Sequence, residues 1–203
     1  MSKRSPETRR PEIVRSLYEA VEKHGLSPPS YDLIAREGGM SRQLVRHYYK
    51  DPEQMVVDLC DRLAEIYRDC LMRGIIEARQ SERLDVFLNF FFGMPTPGGV
   101  TKPVDETVYD GLLALASSMP RVRERLHGQY SLLQATIAHE VQISNPNLSQ
   151  RACDELGYLV VALMYGHWKM VGSLGMHESR NRVSREAIDR LIESYVTRYD
   201  ETS

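Results

Sequence analysis

The 203-residue chain carries 26 Lys and Arg against 28 Asp and Glu, a net charge of −2, so overall charge does not select a nucleic-acid partner. Its distribution does: residues 1–50 hold ten basic against six acidic side chains, and residues 51–203 hold sixteen against twenty-two. A hydrophobic content of 42% suffices for a small domain followed by a larger one with its own core. Three cysteines, Cys60, Cys70 and Cys153, form no CxxC and are odd in number, which argues against a disulfide framework or a zinc knuckle. Met1–Arg10 has no apolar core, so it reads as neither signal peptide nor anchor. The longest mostly apolar run, Tyr158–Tyr165, falls far short of the roughly twenty residues that span a bilayer. A cytoplasmic protein without membrane contact is expected.

In chain order, a basic arm with Lys3, Arg4, Arg9 and Arg10 comes first, and Pro6 and Pro11 are expected to keep it from extending the first helix. Such an arm either tracks a minor groove or is a terminus of no consequence. Thr8–Lys23 places Ile13, Val14, Leu17 and Val21 on one helical stripe, ended by Gly25. Ser30–Tyr49 then reads as two short helices around a sharp turn. Leu33, Ile34 and Ala35 mark the first, Leu44 and Val45 the second, and Gly38-Gly39 supplies a positive φ between them. That is a helix-turn-helix pattern. Ser41 caps the second helix, which turns Arg42, Gln43, Arg46 and His47 away from the core. From Asp51 a long helix runs to about Arg79, with an Asp cap, Pro52 at its first position and Gln54 as reciprocal partner.

Glu82–Gly93 is a helix that must be buried, since Phe87, Phe90, Phe91 and Phe92 are all the phenylalanines of the chain. Three prolines and two glycines make Met94–Pro103 a loop, a candidate lid. Helices follow over Asp105–Ser118, Arg121–Ser144, Ser149–Gly172 and Arg185–Tyr199, the last capped by Ser184. The final two carry more apolar surface than their own domain absorbs, and pairing with a second copy as a four-helix bundle would cover it.

Residues 11–59 resemble the tetracycline-repressor (TetR) family of bacterial transcription regulators. The resemblance lies in an amphipathic first helix, His24-Gly25-Leu26, Tyr31-x-x-Ile34-Ala35-x-x-Gly38-Gly39-Met40-Ser41, and His47-Tyr48-Tyr49-x-Asp51-x-Glu53-x-Met55. It departs from the family pattern twice: the usual tyrosine of the recognition helix falls on Arg46, and the usual lysine opening the fourth helix falls on Pro52. Lys50 is the nearest substitute for that lysine. The resemblance implies an all-α protein with a helix-turn-helix domain over 1–50, joined by the start of the linking helix to about residue 60. A larger helical ligand-binding and dimerisation domain over 51–203 follows. It further implies a homodimer through the last two helices, and a regulator, commonly a repressor, bound to an inverted-repeat operator.

In that setting Arg42, Gln43, Arg46 and His47 would read bases, and Tyr31, Ser41, Tyr48 and Lys50 would hold phosphates. Phe87, Phe91, Tyr109, Tyr130, Met164, Tyr165 and Trp168 are the candidate lining for a small hydrophobic or aromatic effector, with Asn89, His139 and His167 as polar handles. The helices show no cluster of buried basic residues for a strongly anionic one. No cofactor and no catalysis are expected: phosphate loop, nucleophile elbow and His-Glu-x-x-His motif are all missing. Two alternatives stand beside this reading. Glu124-x-x-His127 has the spacing of a ferritin-like metal enzyme, though such a site needs two such pairs. A protein-interaction module of the same fold that no longer reads DNA is the other.

Overall fold

The computed structural model describes residues 6–25, 30–77, 82–103 and 105–200, and among them the chain is all helical. The helices are α1 (Pro6–His24), α2 (Tyr31–Glu37), α3 (Arg42–Tyr48), α4 (Pro52–Glu77), α5 (Arg83–Phe91), α6 (Glu106–Ala116), α7 (Pro120–Ser144), α8 (Gln150–Trp168) and α9 (Ser179–Asp200). They form two compact units, Met1–Glu65 with Asp105–Gly128, and Ile66–Val104 with Gln129–Ser203. This grouping differs from a division at residue 50, because α6 and the first turns of α7 pack with the N-terminal helices.

In the first unit, Ile13, Val14, Leu17, Ala20 and Val21 of α1 are buried, and α1 packs on α2, α3 and α6. Contrary to the expectation for Pro6 and Pro11, α1 begins at Pro6 and runs through Pro11. Pro6 occupies a first position that has no intrahelical N–H bond to lose. Pro11 gives up one backbone bond, and the buried stripe that begins at Ile13 holds the helix regardless. Lys3 and Arg4 of the basic arm, and Leu26, lie outside the described residues. Gly39 takes φ 57° in the turn between α2 and α3. Gly38 is there for space: a Cβ would lie 2.4 Å from the Ser16 hydroxyl.

The start of α4 is capped as expected at Asp51, whose Oδ1 accepts from the Glu53 N–H at 3.0 Å. Gln54 is not its reciprocal partner; its Nε2 donates to Asp58 Oδ1 at 2.6 Å. Arg121, at the start of α7, reaches this same turn. Its N–H donates to Glu53 Oε1 at 2.8 Å and its guanidinium donates to Asp51 Oδ2 at 2.5 Å and to the Gln54 amide oxygen. One turn further on, Arg125 makes a two-pronged pair with Asp61.

In the second unit, α5 buries Leu84, Val86, Phe87, Leu88, Phe90 and Phe91, and Phe92 follows at 0% exposure. Helices α7 and α8 cross where α8 carries Gly157, since a Cβ there would lie 2.6 Å from the Gln134 carbonyl oxygen. Gly166, expected to serve the same purpose, has nothing within 4 Å of its Cβ position. Helix α8 ends at Trp168, four residues short of the expected Gly172, and the chain continues as a π-helical turn over Lys169–Ser173. Helix α9 starts at Ser179, six residues before the expected Arg185. Ser184 therefore lies inside the helix and bonds His167 at 3.0 Å, while the His177 ring accepts the Ser179 N–H at 3.0 Å and takes the capping role.

The α7–α8 crossing gives a direct test. Gly157→Ala should lower stability by about 1–3 kcal/mol in urea unfolding followed by far-UV circular dichroism, because the obstacle is a backbone oxygen that cannot rotate away. An unchanged midpoint would mean that the helices part at no cost.

Candidate nucleic-acid interface and effector core

The helix-turn-helix is held from several sides by polar groups. Ser41 adopts extended φ and ψ, and its Oγ accepts from the Leu44 N–H at 3.2 Å, fixing the first turn of α3. Val45 is fully buried, which roots one face of α3, while Arg42, Gln43, Arg46 and His47 are exposed. At the far end of α2, Glu37 accepts from Lys23 at 2.6 Å and pairs with His24 at 3.0 Å, tying α2 to the end of α1. The hydrogen bonds from Lys23 and then His24 hold the Glu37 carboxyl below its ordinary value, and the bond to Glu37 raises the Lys23 ammonium.

Tyr49, directly after α3, is 1% exposed, and its hydroxyl donates to Asp58 Oδ2 of α4 at 2.6 Å. Its carbonyl accepts the Tyr31 hydroxyl at 2.9 Å. Of the residues expected to face DNA, Arg42 lies 3.2 Å from Asp32 in an exposed pair, and the His47 and Tyr48 rings meet edge to face at 5.1 Å. Ser41 and Lys50 are exposed and Tyr48 is half-buried. Tyr31 is different: its one hydroxyl proton is committed to the Tyr49 backbone, so its position is that of a strut between α2 and the end of α3.

A shallow open cleft of about 380 Å³ lies at the end of α3, where His47 and Lys50 meet Arg10 of α1 beside Asp51. The sequence puts Arg10 in a short basic arm overlapping the start of the first helix. The structure sets its guanidinium over the Tyr49 ring at 5.1 Å and 3.9 Å from Asp58. Arg121 was also missed, and no local signal marks it, because its partners lie 67 to 70 residues away.

The candidate effector residues divide. Phe87, Phe91, Met164 and Trp168 are buried in the second unit, Tyr130 and Tyr165 are half-buried there, and Tyr109 lies on α6 in the first unit. Phe91 and Trp168 are brought together with their ring centres 6.0 Å apart, and Tyr67 of α4, which sequence reading passed over, stands 6.4 Å and 6.1 Å from the two. The Trp168 indole N–H donates to the Phe91 carbonyl at 2.6 Å, so the ring plane is fixed. Of the polar handles, His139 is exposed, and Asn89 donates to the Pro95 carbonyl at 3.2 Å and accepts from Arg185 at 2.9 Å. Arg185 is only 8% exposed, with Asp85 at 2.5 Å and Asp189 as carboxylate partners, so this buried cation is already neutralised. Glu124 and His127 are both exposed, and the described residues contain no group of side chains able to hold a metal ion.

The sequence matches no protein-family model and no curated protein. Solved structures do match. A TetR transcription regulator from Haloarcula marismortui ATCC 43049 superposes with a TM-score of 0.76 over 93% of this chain and 98% of that one, at 15% identity. A transcriptional regulator from Rhodococcus sp. Rha1 gives 0.70 over 96% and 97%, at 14% identity. A Saccharomonospora viridis protein solved in complex with choline gives 0.69 over 92% and 96%, at 20% identity. The chain thus has the fold of TetR-type regulators along nearly its whole length. No described helix is long and apolar enough to cross a membrane.

His167 supplies a pH test for the second unit. Burial, opposed by a side-chain hydrogen bond with Asn181 and aided slightly by the Lys102 charge, holds its imidazole below the ordinary value of 6.5, so the folded protein prefers it neutral. Between the lowered folded pKa and 6.5 the unfolded chain binds more protons, so stability rises with pH through that window and falls as the solution is acidified. Urea midpoints should therefore drop from pH 7.5 to pH 5.5, and His167→Gln should shrink that drop. An equal drop in both proteins would assign the acid sensitivity elsewhere.

Proposed function

We propose that the protein is a homodimeric, ligand-responsive DNA-binding transcription regulator, acting as a repressor on an inverted-repeat operator. One observation carries this reading: α3 is anchored through buried Val45 and Tyr49 and turns Arg42, Gln43, Arg46 and His47 outward together. Arginine can bridge guanine O6 and N7 and glutamine can bridge adenine N6 and N7, which suits this set to a major groove. Ser41, Tyr48 and Lys50 flank the set as phosphate contacts, and Tyr31 supports them through Tyr49. The net basic charge of residues 1–50 favours the same surface.

The second copy docks on α8 and α9. Tyr158 is 61% and Leu163 46% exposed on α8, and Val183 is 48% exposed on α9, apolar side chains that a second copy would cover. The effector is a small, mainly hydrophobic molecule held in the second unit; the choline in the Saccharomonospora viridis neighbour supports a small-molecule site in this fold. Its binding favours a spacing of the two readers unfit for DNA, carried by α4, whose residues divide between the two units.

A mobility shift on the gene's own upstream DNA tests the reading; no complex at low salt with any palindromic fragment would refute it. Arg42→Ala and Arg46→Ala should each weaken operator binding by about 1–3 kcal/mol while leaving the fold intact. Lys50→Ala should weaken binding to all sequences alike and reduce the salt slope by about 1. Light scattering should report a dimer that a charge at Leu159 or Leu191 disrupts.

A further inference from the structure

We propose that the Trp168 ring, backed by Tyr67 and Phe91, is a seat for a small organic cation, and that Lys102 is the chain's own cation that competes for it. The proposal replaces an uncharged apolar effector with an apolar-shelled cation, and it rests on the reading of the second unit as an effector-binding unit.

The Lys102 ammonium lies 4.7 Å from the Trp168 ring centre, and its Nζ donates to the Pro103 carbonyl at 2.7 Å. An indole face is the strongest aromatic partner for a cation, within about 6 Å of the ring centre. This face does not stand alone. Phe91 is tilted 38° and Tyr67 43° to it, and Tyr67 and Phe91 are stacked within 12° of each other. Trp168 cannot turn away, since its N–H is held by the Phe91 carbonyl.

The lysine arrives on the loop that joins α5 to α6. The loop's first half is tied to the helices: Asn181 of α9 donates to the Gly93 carbonyl at 3.3 Å and Asn89 of α5 to the Pro95 carbonyl at 3.2 Å. In the second half, Lys102 on Trp168 is a hold that a competitor can break. An ammonium on a flexible four-carbon stem is strongly hydrated and gives up side-chain freedom to lie on a ring. A methylated ammonium is more weakly hydrated and gives up no such freedom. At sufficient concentration its weaker hydration lets it displace the lysine and release the loop. An anion would instead need Lys102 to leave the ring and pair with it.

Trp168 is the single tryptophan of the chain, so its emission reports the seat directly. The protein is titrated with tetramethylammonium, with tert-butanol as an uncharged molecule of similar size, and with benzoate, at constant ionic strength. Tetramethylammonium should change the emission saturably and the other two should not. Lys102→Met, with its helical circular dichroism unchanged, should bind tetramethylammonium about tenfold more tightly, because the competitor is gone. Equal affinity in that variant, a matching response to tert-butanol or benzoate, or no saturable response in either protein overturns the proposal. The titration contains no DNA, so a mobility shift with the same preparation separates failure of the regulator reading from failure of the cation seat.

Discussion

Tyr49 is the residue on which the helix-turn-helix depends. Its buried phenol donates to Asp58 at 2.6 Å, its backbone oxygen takes the Tyr31 hydroxyl at 2.9 Å, and its ring lies under Arg10. One residue, through its side chain and its carbonyl, thus ties the end of α3 to α1, α2 and α4. Burial first, and then the bond to Asp58, push the phenol well above its ordinary value, so it remains a donor through the whole physiological range. A seven-residue helix has too few backbone bonds to be stable alone, so α3 borrows its order from these ties and from Val45.

Electrostatics in the first unit follow from that arrangement. The cleft at the end of α3 brings Arg10, His47 and Lys50 near Asp51, and an unneutralised carboxylate there would oppose a phosphate backbone. Arg121 answers it with the 2.5 Å bond to Asp51. Where the family pattern has a lysine, Pro52 offers no charge, and the positive groups around it come from α1 and from the end of α3 instead.

What could be read from the sequence is what depends on neighbours along the chain. The stripe of α1, the Gly39 turn, the Ser41 cap and the buried phenylalanines of α5 each rest on residues a few positions apart, and each is found in place. Missed features join distant segments. Nothing local marks Arg121 as the partner of Asp51, Tyr67 as the neighbour of Trp168, or Arg185 as buried between carboxylates. The start of α9 differs because the His177 ring accepts the Ser179 N–H and caps the helix six residues earlier, which leaves Ser184 inside it, bonded to His167. Of the candidate effector residues, Phe91 and Trp168 do meet, whereas Tyr109 belongs to the first unit, a division that helical periodicity cannot convey.

Two helices, α4 and α7, each contribute residues to both units, and in the first unit they are joined by Arg121 and Arg125 to Asp51, Gln54 and Asp61. These pairs are largely exposed, so each is worth only about 0–1 kcal/mol. That weakness suits a coupling element. A buried clamp of several kcal/mol would lock one arrangement, since an effector shifts an equilibrium by no more than its own difference in affinity between the two states. Bonds of this size align the first turns of α4 and α7 without that cost. In the regulator proposed above, a change borne by either helix would reach Asp51, one residue beyond Lys50, through both together.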